Sequence, residues 1–190
     1  MTAVMGNNDG PVVPPAKVAP GAAAPWAPIA LGILMCLGWG AVVWAVPHLR
    51  ADPALHTVAR FAHLAALLVG FGAVLTIDWL GLRWLLGYRP LADVLRLAQA
   101  TAVPIWAGLA GLTVSGLLLH PDLASWPTRI KLGIVLVVGL NGLCAHHVTS
   151  RLGDTPAPRS VLIRAATCAA ISQAGWWSAT IIGFLNAHHP

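Results

Sequence analysis

Charge is what this 190-residue chain has least of: 9% of its residues are charged and 57% are hydrophobic, with a mean hydropathy of +0.75. A water-soluble domain carries about 25% charged residues, so an ordinary polar surface is excluded. Strict apolar–polar alternation is also missing, which excludes a transmembrane barrel. Cysteine is scarce. Cys36, Cys144 and Cys168 each fall inside an apolar run, an odd number without framework spacing, so they read as small core residues and not as a disulfide scaffold. No stretch resembles a phosphate loop, a zinc-protease helix or a nucleophile elbow, and the balance leans away from an enzyme.

What is present is a set of long, continuous apolar runs, and only helices satisfy their own backbone polar groups inside lipid. The chain is therefore expected to be all-α, a polytopic transmembrane helical bundle. Residues 1–25 hold Pro11, Pro14, Pro15, Pro20 and Pro25 among Ala and Gly and read as a disordered tail. A transmembrane domain is expected over 26–187. Its five spans are about 26–46, 58–82, 97–119, 130–148 and 161–186, with prolines in every connection; each is near the 20 residues a spanning helix needs. The first run is read as a retained helix and not a cleaved signal. Four spans is the alternative, with the first run removed or interfacial.

The net charge of +5 does not call for nucleic acid, because the basic residues sit singly at the ends of apolar runs. That is how topology signals are placed, with attraction to anionic headgroups as the milder reading. Five spans put Lys17, Arg83, Arg89, Arg96, Arg151, Arg159 and Arg164 on one side, against Arg50, Arg60, Arg129 and Lys131 on the other. The expected orientation is a cytoplasmic amino terminus and an external carboxyl terminus.

That threading gathers six of the eight histidines at the outer face: His48, His56, His63, His120, His188 and His189. His146 and His147 lie near the inner one. Imidazole is the commonest metal ligand, so His63, His120 and His56 form a candidate metal set. His63 and His120 on facing helices are a candidate axial pair for haem b. The bland reading, that interfacial histidines are simply solvated, stands beside both. Asp78, Lys131, Asn141, His146 and Gln173 are further polar residues within the spans, and ionisable groups there are functional candidates by default. Asp78 is expected to meet Arg83 or Arg151, and Lys131 to meet Asp122 or the carbonyl end of the third span. Asn141 and Gln173 read as interhelical hydrogen-bonders. A proton or ion path through Asp78, Asn141 and Lys131 is the minority reading. Gly70, Gly72, Gly108, Gly111 and Ser115 provide small faces on which helices approach closely.

Three segments carry a family resemblance. His63-Leu-Ala-Ala-Leu-Leu-Val-Gly70-Phe-Gly72 resembles the histidine-led helix of the bacterial copper-resistance protein D (CopD) family. Leu112-Thr-Val-Ser115-Gly116-Leu-Leu-Leu resembles its small-residue helix end. Trp126-Pro-Thr-Arg-Ile-Lys131-Leu, with Asn141-Gly142 after it, is similar to its lysine-led helix. The resemblance covers residues 58–150. It implies a helical inner-membrane protein that handles copper, with His63, Lys131 and Asn141 at the matching positions. One departure is chemical: copper(I) favours soft thioether and thiolate ligands, yet the methionines are Met1, Met5 and Met35 alone. An imidazole site suited to Cu(II), zinc or haem iron is what remains.

Three functions follow as expectations. The first is copper or related metal handling at the outer histidines, and the second is haem-b electron transfer with bis-histidine ligation. The third is a non-catalytic membrane subunit or assembly factor whose faces pack against partner subunits. The lipid bilayer is a partner in all three.

Overall fold

The structure is a computed structural model and describes residues 26–49, 51–150 and 158–188. The expected tail over 1–25, and Arg50, Arg151 and His189, lie outside the described residues. Those described are helical, with no strand: α1 (Ala27–Ala45), α2 (Pro53–Leu85), α3 (Leu91–Ala100), α4 (Ala102–Leu118), α5 (Trp126–Thr149) and α6 (Arg159–His188).

Proline sets most of the helix starts. Pro28, Pro53 and Pro127 occupy the first turns of α1, α2 and α5, where the missing N–H has no intrahelical partner to lose. Asp52 caps α2 by accepting from the Leu55 N–H at 2.7 Å. After α1 the chain tightens into a 3₁₀ turn, Val46–His48, around Pro47. The other end of α2 closes on Gly87, whose φ of 78° suits a residue without Cβ. There Gly87 N–H donates to the Trp84 carbonyl and Tyr88 N–H to that of Arg83, both at 2.9 Å, the pairing of a Schellman cap.

The expected third span, 97–119, is not one continuous helix. It is broken at Thr101 into α3 and α4, which meet at a bend of 44°. Pro104 explains the break: it offers no N–H to the carbonyl four residues back, at Ala100, and its ring crowds that carbonyl. Thr101 seals the joint, its hydroxyl donating to the Leu97 carbonyl at 2.7 Å. Ahead of the bend α3 is amphipathic, with Asp93 and Arg96 among Leu91, Leu95 and Leu97.

Among the described residues three helices are long and apolar enough to cross a membrane: α1 with its turn, α2 and α5. A fourth crossing is made if α3 and α4 are one bent span. At 33 residues α2 is about 50 Å long, more than the ~30 Å hydrocarbon thickness. α6 has the length, at 30 residues, yet it is not among the helices apolar enough; Ser172, Gln173 and Ser178 dilute its middle.

Neighbouring helices run antiparallel. Gly70 faces Gly108 and Ala66 faces Gly111 across α2 and α4. Asn141 meets Cys168, and Lys131 meets Gly183, across α5 and α6. Gly32 meets Leu140 and Met35 meets Gly139 across α1 and α5. A Cβ at Gly108 would stand 2.6 Å from the Gly70 nitrogen and 2.8 Å from the Ala66 carbonyl oxygen, so the backbones themselves are in contact. Gly72 has open space around it and takes no part in that crossing.

Between the α2–α4 and α5–α6 pairs sits a small core of Phe71, Val74, Val138 and Trp176, with Leu67, Ile105, Leu112 and Ile134 against it. Phe71 stacks on Trp176 at 5.6 Å and takes Trp177 edge-on at 5.1 Å. Leu34, Leu37, Phe61, Leu68 and Phe184, by contrast, are exposed. So small a core and so apolar an outside among the described residues are compatible with a membrane protein.

Candidate functional site

The helix crossings distribute the polar side chains in two layers, above and below the Phe71–Trp176 core. In one layer His63 Nδ1 lies 2.9 Å from Ser115 Oγ. The seryl hydroxyl has one proton, and its shortest contact, 2.5 Å, is to the Gly111 carbonyl one turn back on α4. A carbonyl only accepts, so the hydroxyl donates there and His63 donates from Nδ1. We assign the Nδ1–H tautomer on that ground. The His63 ring also bonds to the Leu112 backbone, and with its proton on Nδ1 it is not placed to take one from Ser115, so the pair is not an activated nucleophile. Gly116 makes room for the ring: a Cβ there would stand 3.5 Å from His63 Cε1.

Lys131 joins this layer from α5. Its Nζ stands 3.1 Å from the position a Cβ would take on Gly183 of α6, and its charge acts electrostatically on the His63 ring. Asp122, one of the two partners expected for it, does not pair with it. Asp122 instead folds back on its own turn, accepting from the Ala124 N–H at 2.9 Å. Among the described residues Lys131 makes no ion pair. A groove of about 550 Å³ opens between the start of α5 and the end of α6, lined by Ser125, Pro127, Ile130, Ile182, Leu185 and Asn186, and Lys131 and Gly183 follow two of these residues in sequence.

The second layer belongs to Asp78 and Gln173, whose side-chain amide donates to the Asp78 carboxylate across α2 and α6. The expectation that Asp78 pairs with Arg83 is corrected: Arg83 lies over the Tyr88 ring instead, 6.0 Å from its centroid. Asn141 donates from Nδ2 to the Cys168 carbonyl at 2.8 Å. Both amides thus bond between helices, as their place in the apolar runs implies. His146 is exposed at the end of α5, away from both layers.

Where α2 begins and α4 ends, His56 and His120 stack, ring centroids 6.1 Å apart and planes 8° from parallel. His120 ends α4 with φ 49°, a left-handed conformation uncommon for a residue with a Cβ. From there its Nε2 accepts the Ala51 N–H at 3.0 Å, clasping the end of α4 to the lead-in of α2. The structure therefore brings His56 and His120 together and leaves His63 with Ser115. No three His, Cys, Asp or Glu side chains come close enough to hold a metal among the described residues. As placed, the three imidazoles do not fit one ligand set, because the lone pair of His120 Nε2 is already committed.

Sequence reasoning missed Ser115 as the partner of His63, the clasp from Ala51 to His120, and Gly183 as the seat of Lys131. The only advance signal was Ser115 as a buried small residue (it is 4% exposed) within an apolar helix. Against known proteins, no family model matches the chain, and neither a curated protein nor a solved structure is similar to it.

Proposed function

We propose that this chain is a five-span protein of the bacterial inner membrane, amino terminus in the cytoplasm, that binds the negatively charged or carbonyl end of a small amphiphile at His63, Ser115 and Lys131. The observation that carries the reading is Lys131: a half-buried ammonium packed against Gly183, with no ion-pair partner among the described residues. An unpaired charge within a bundle is expensive, so such residues face functional cavities. A cation there attracts an anion and repels a metal ion. The neighbouring groove supplies apolar walls from Pro127, Ile130, Ile182 and Leu185 for the rest of the ligand. α6 counts as the fifth span in this reading because it runs antiparallel to α5 from Asn141–Cys168 to Lys131–Gly183.

Decanoate and decanol test it, since they differ in the charged end alone. Decanoate is expected to raise the melting temperature of the detergent-purified protein, decanol to leave it unchanged, and Lys131→Met to abolish the difference. Equal responses to the two amphiphiles refute the reading.

The resemblance to the CopD family keeps a second reading open, in which copper is handled at the outer rim. The proximity of His56 and His120 is what speaks for it, although His120 Nε2 would first have to release the Ala51 N–H. Copper bound in stoichiometric amount by the purified protein, and lost in His56→Ala, would favour it. Haem b has less in its favour, because an axial pair must turn two free lone pairs to one iron and His120 Nε2 is engaged by Ala51.

A further inference from the structure

The far end of α2 holds a second built feature, unrelated to His63. Trp79, Leu82, Arg83, Leu86 and Tyr88 line a groove of about 270 Å³. The Schellman cap at Gly87 makes it, by turning the backbone so that Tyr88 folds back on the helix it has just left. The Arg83 guanidinium lies over that ring at 6.0 Å and has no acidic partner among the described residues. From Arg83 to Arg96 the chain carries three arginines and one carboxylate, Asp93. Arg89 and Arg96 share it, at 3.7 and 2.5 Å, so positive charge is left over along α3.

We propose that this groove binds the phosphate headgroup of an anionic phospholipid, with Arg83 on the phosphate and the acyl chains along Trp79, Leu82 and Leu86. An arginine fork fits phosphate oxygens in a bidentate manner, and the Tyr88 ring holds its plane in place. Trp79 and Tyr88, exposed at the end of a membrane-length helix, are the aromatic types that settle at headgroup level. The bend at Thr101 turns amphipathic α3 by 44° from the axis of α4, and a polar face on such a helix suits the headgroup level. A free phosphate would gain nothing from the apolar walls; a lipid uses both. The inference rests on α2 crossing the bilayer and is independent of the site at Lys131.

Native mass spectrometry of the detergent-purified full chain, titrated with phosphatidylglycerol or phosphatidylcholine, tests it. Wild type is expected to bind phosphatidylglycerol at least about fivefold more tightly, the factor that about 1 kcal/mol per basic residue near the surface corresponds to. Arg83→Gln is expected to erase that preference, and Arg164→Gln, on α6 away from the groove, to keep it. Arg83→Lys, a milder change, is expected to weaken the preference too, since an ammonium lacks the planar fork. Equal affinity for the two lipids, wild-type preference in both Arg83 variants, or displacement of the lipid by millimolar inorganic phosphate would each overturn the proposal.

Discussion

Gly108→Ala and Gly72→Ala are the same chemical change on two membrane-embedded helices, and they are expected to act with opposite signs. At Gly108 the new methyl would meet the Gly70 nitrogen at 2.6 Å and the Ala66 carbonyl oxygen at 2.8 Å. Both obstacles are backbone, so no side chain can rotate aside and α2 must move away from α4. Overpacking of this kind costs about 1–3 kcal/mol. At about 2–4 °C per kcal/mol for a chain of this size, the melting temperature should fall by roughly 2–12 °C. At Gly72 nothing lies within 4 Å, and alanine gains about 0.5–1 kcal/mol by restricting the unfolded helix backbone, a rise of a few degrees. Tryptophan fluorescence on heating in detergent reads both, and the chain has nine tryptophans to report. The same separation of α2 from α4 should carry His63 away from Ser115, because Gly70, Ala66 and His63 lie on one face of α2 and meet Gly108, Gly111 and Ser115 in turn. Equal effects at the two glycines, or a stabilised Gly108→Ala, would refute the close crossing.

Three further outcomes are expected. Ser115→Ala removes the acceptor of the His63 Nδ1–H and should cost about 1–3 kcal/mol for the donor left unpaired; ¹⁵N NMR of labelled histidine should show His63 leaving the Nδ1–H tautomer, and an unchanged tautomer would refute the assignment. Lys131→Met removes an unpaired ammonium from the bundle and should stabilise the ligand-free protein by at least about 1 kcal/mol, the low end for replacing buried charge by apolar packing; a fall in melting temperature would reveal a partner for it. Asn141→Leu loses one interhelical bond to the Cys168 carbonyl and should cost about 0.6–1.7 kcal/mol, with a loss above about 3 kcal/mol in denaturant titration counting against that modest role.

The long apolar runs made α1, α2 and α5 legible to within a few residues, because their length is itself the signal. The break at Thr101 was hidden by the same property: Pro104 lies in an apolar run, and hydropathy alone does not register the hydrogen bond it removes. Chain ends of the helices were legible through proline and Asp52. What the sequence could not show was partnership. His63 and Ser115 are 52 residues apart, Asp78 and Gln173 are 95 apart, and which of several polar residues meet depends on where backbones cross. Small residues marked Gly70 and Gly108 as crossing candidates and marked Gly72 equally, although only the first two are in contact. Among the described residues His56, His63 and His120 lie toward the start of α2 and the end of α4, yet the lone pair that His120 gives to Ala51 is a matter of backbone placement that no spacing rule contains.

A photoactivatable fatty acid, with a diazirine in its chain and a free carboxylate, tests the binding proposal most directly. After illumination in detergent and peptide mapping, label is expected on the start of α5 and the end of α6, at Ile130, Ile182 and Leu185. Excess decanoate should prevent it, as should Lys131→Met. Label spread evenly over outward residues such as Leu37 and Phe61, and indifferent to the loss of Lys131, would contradict an amphiphile held by that ammonium.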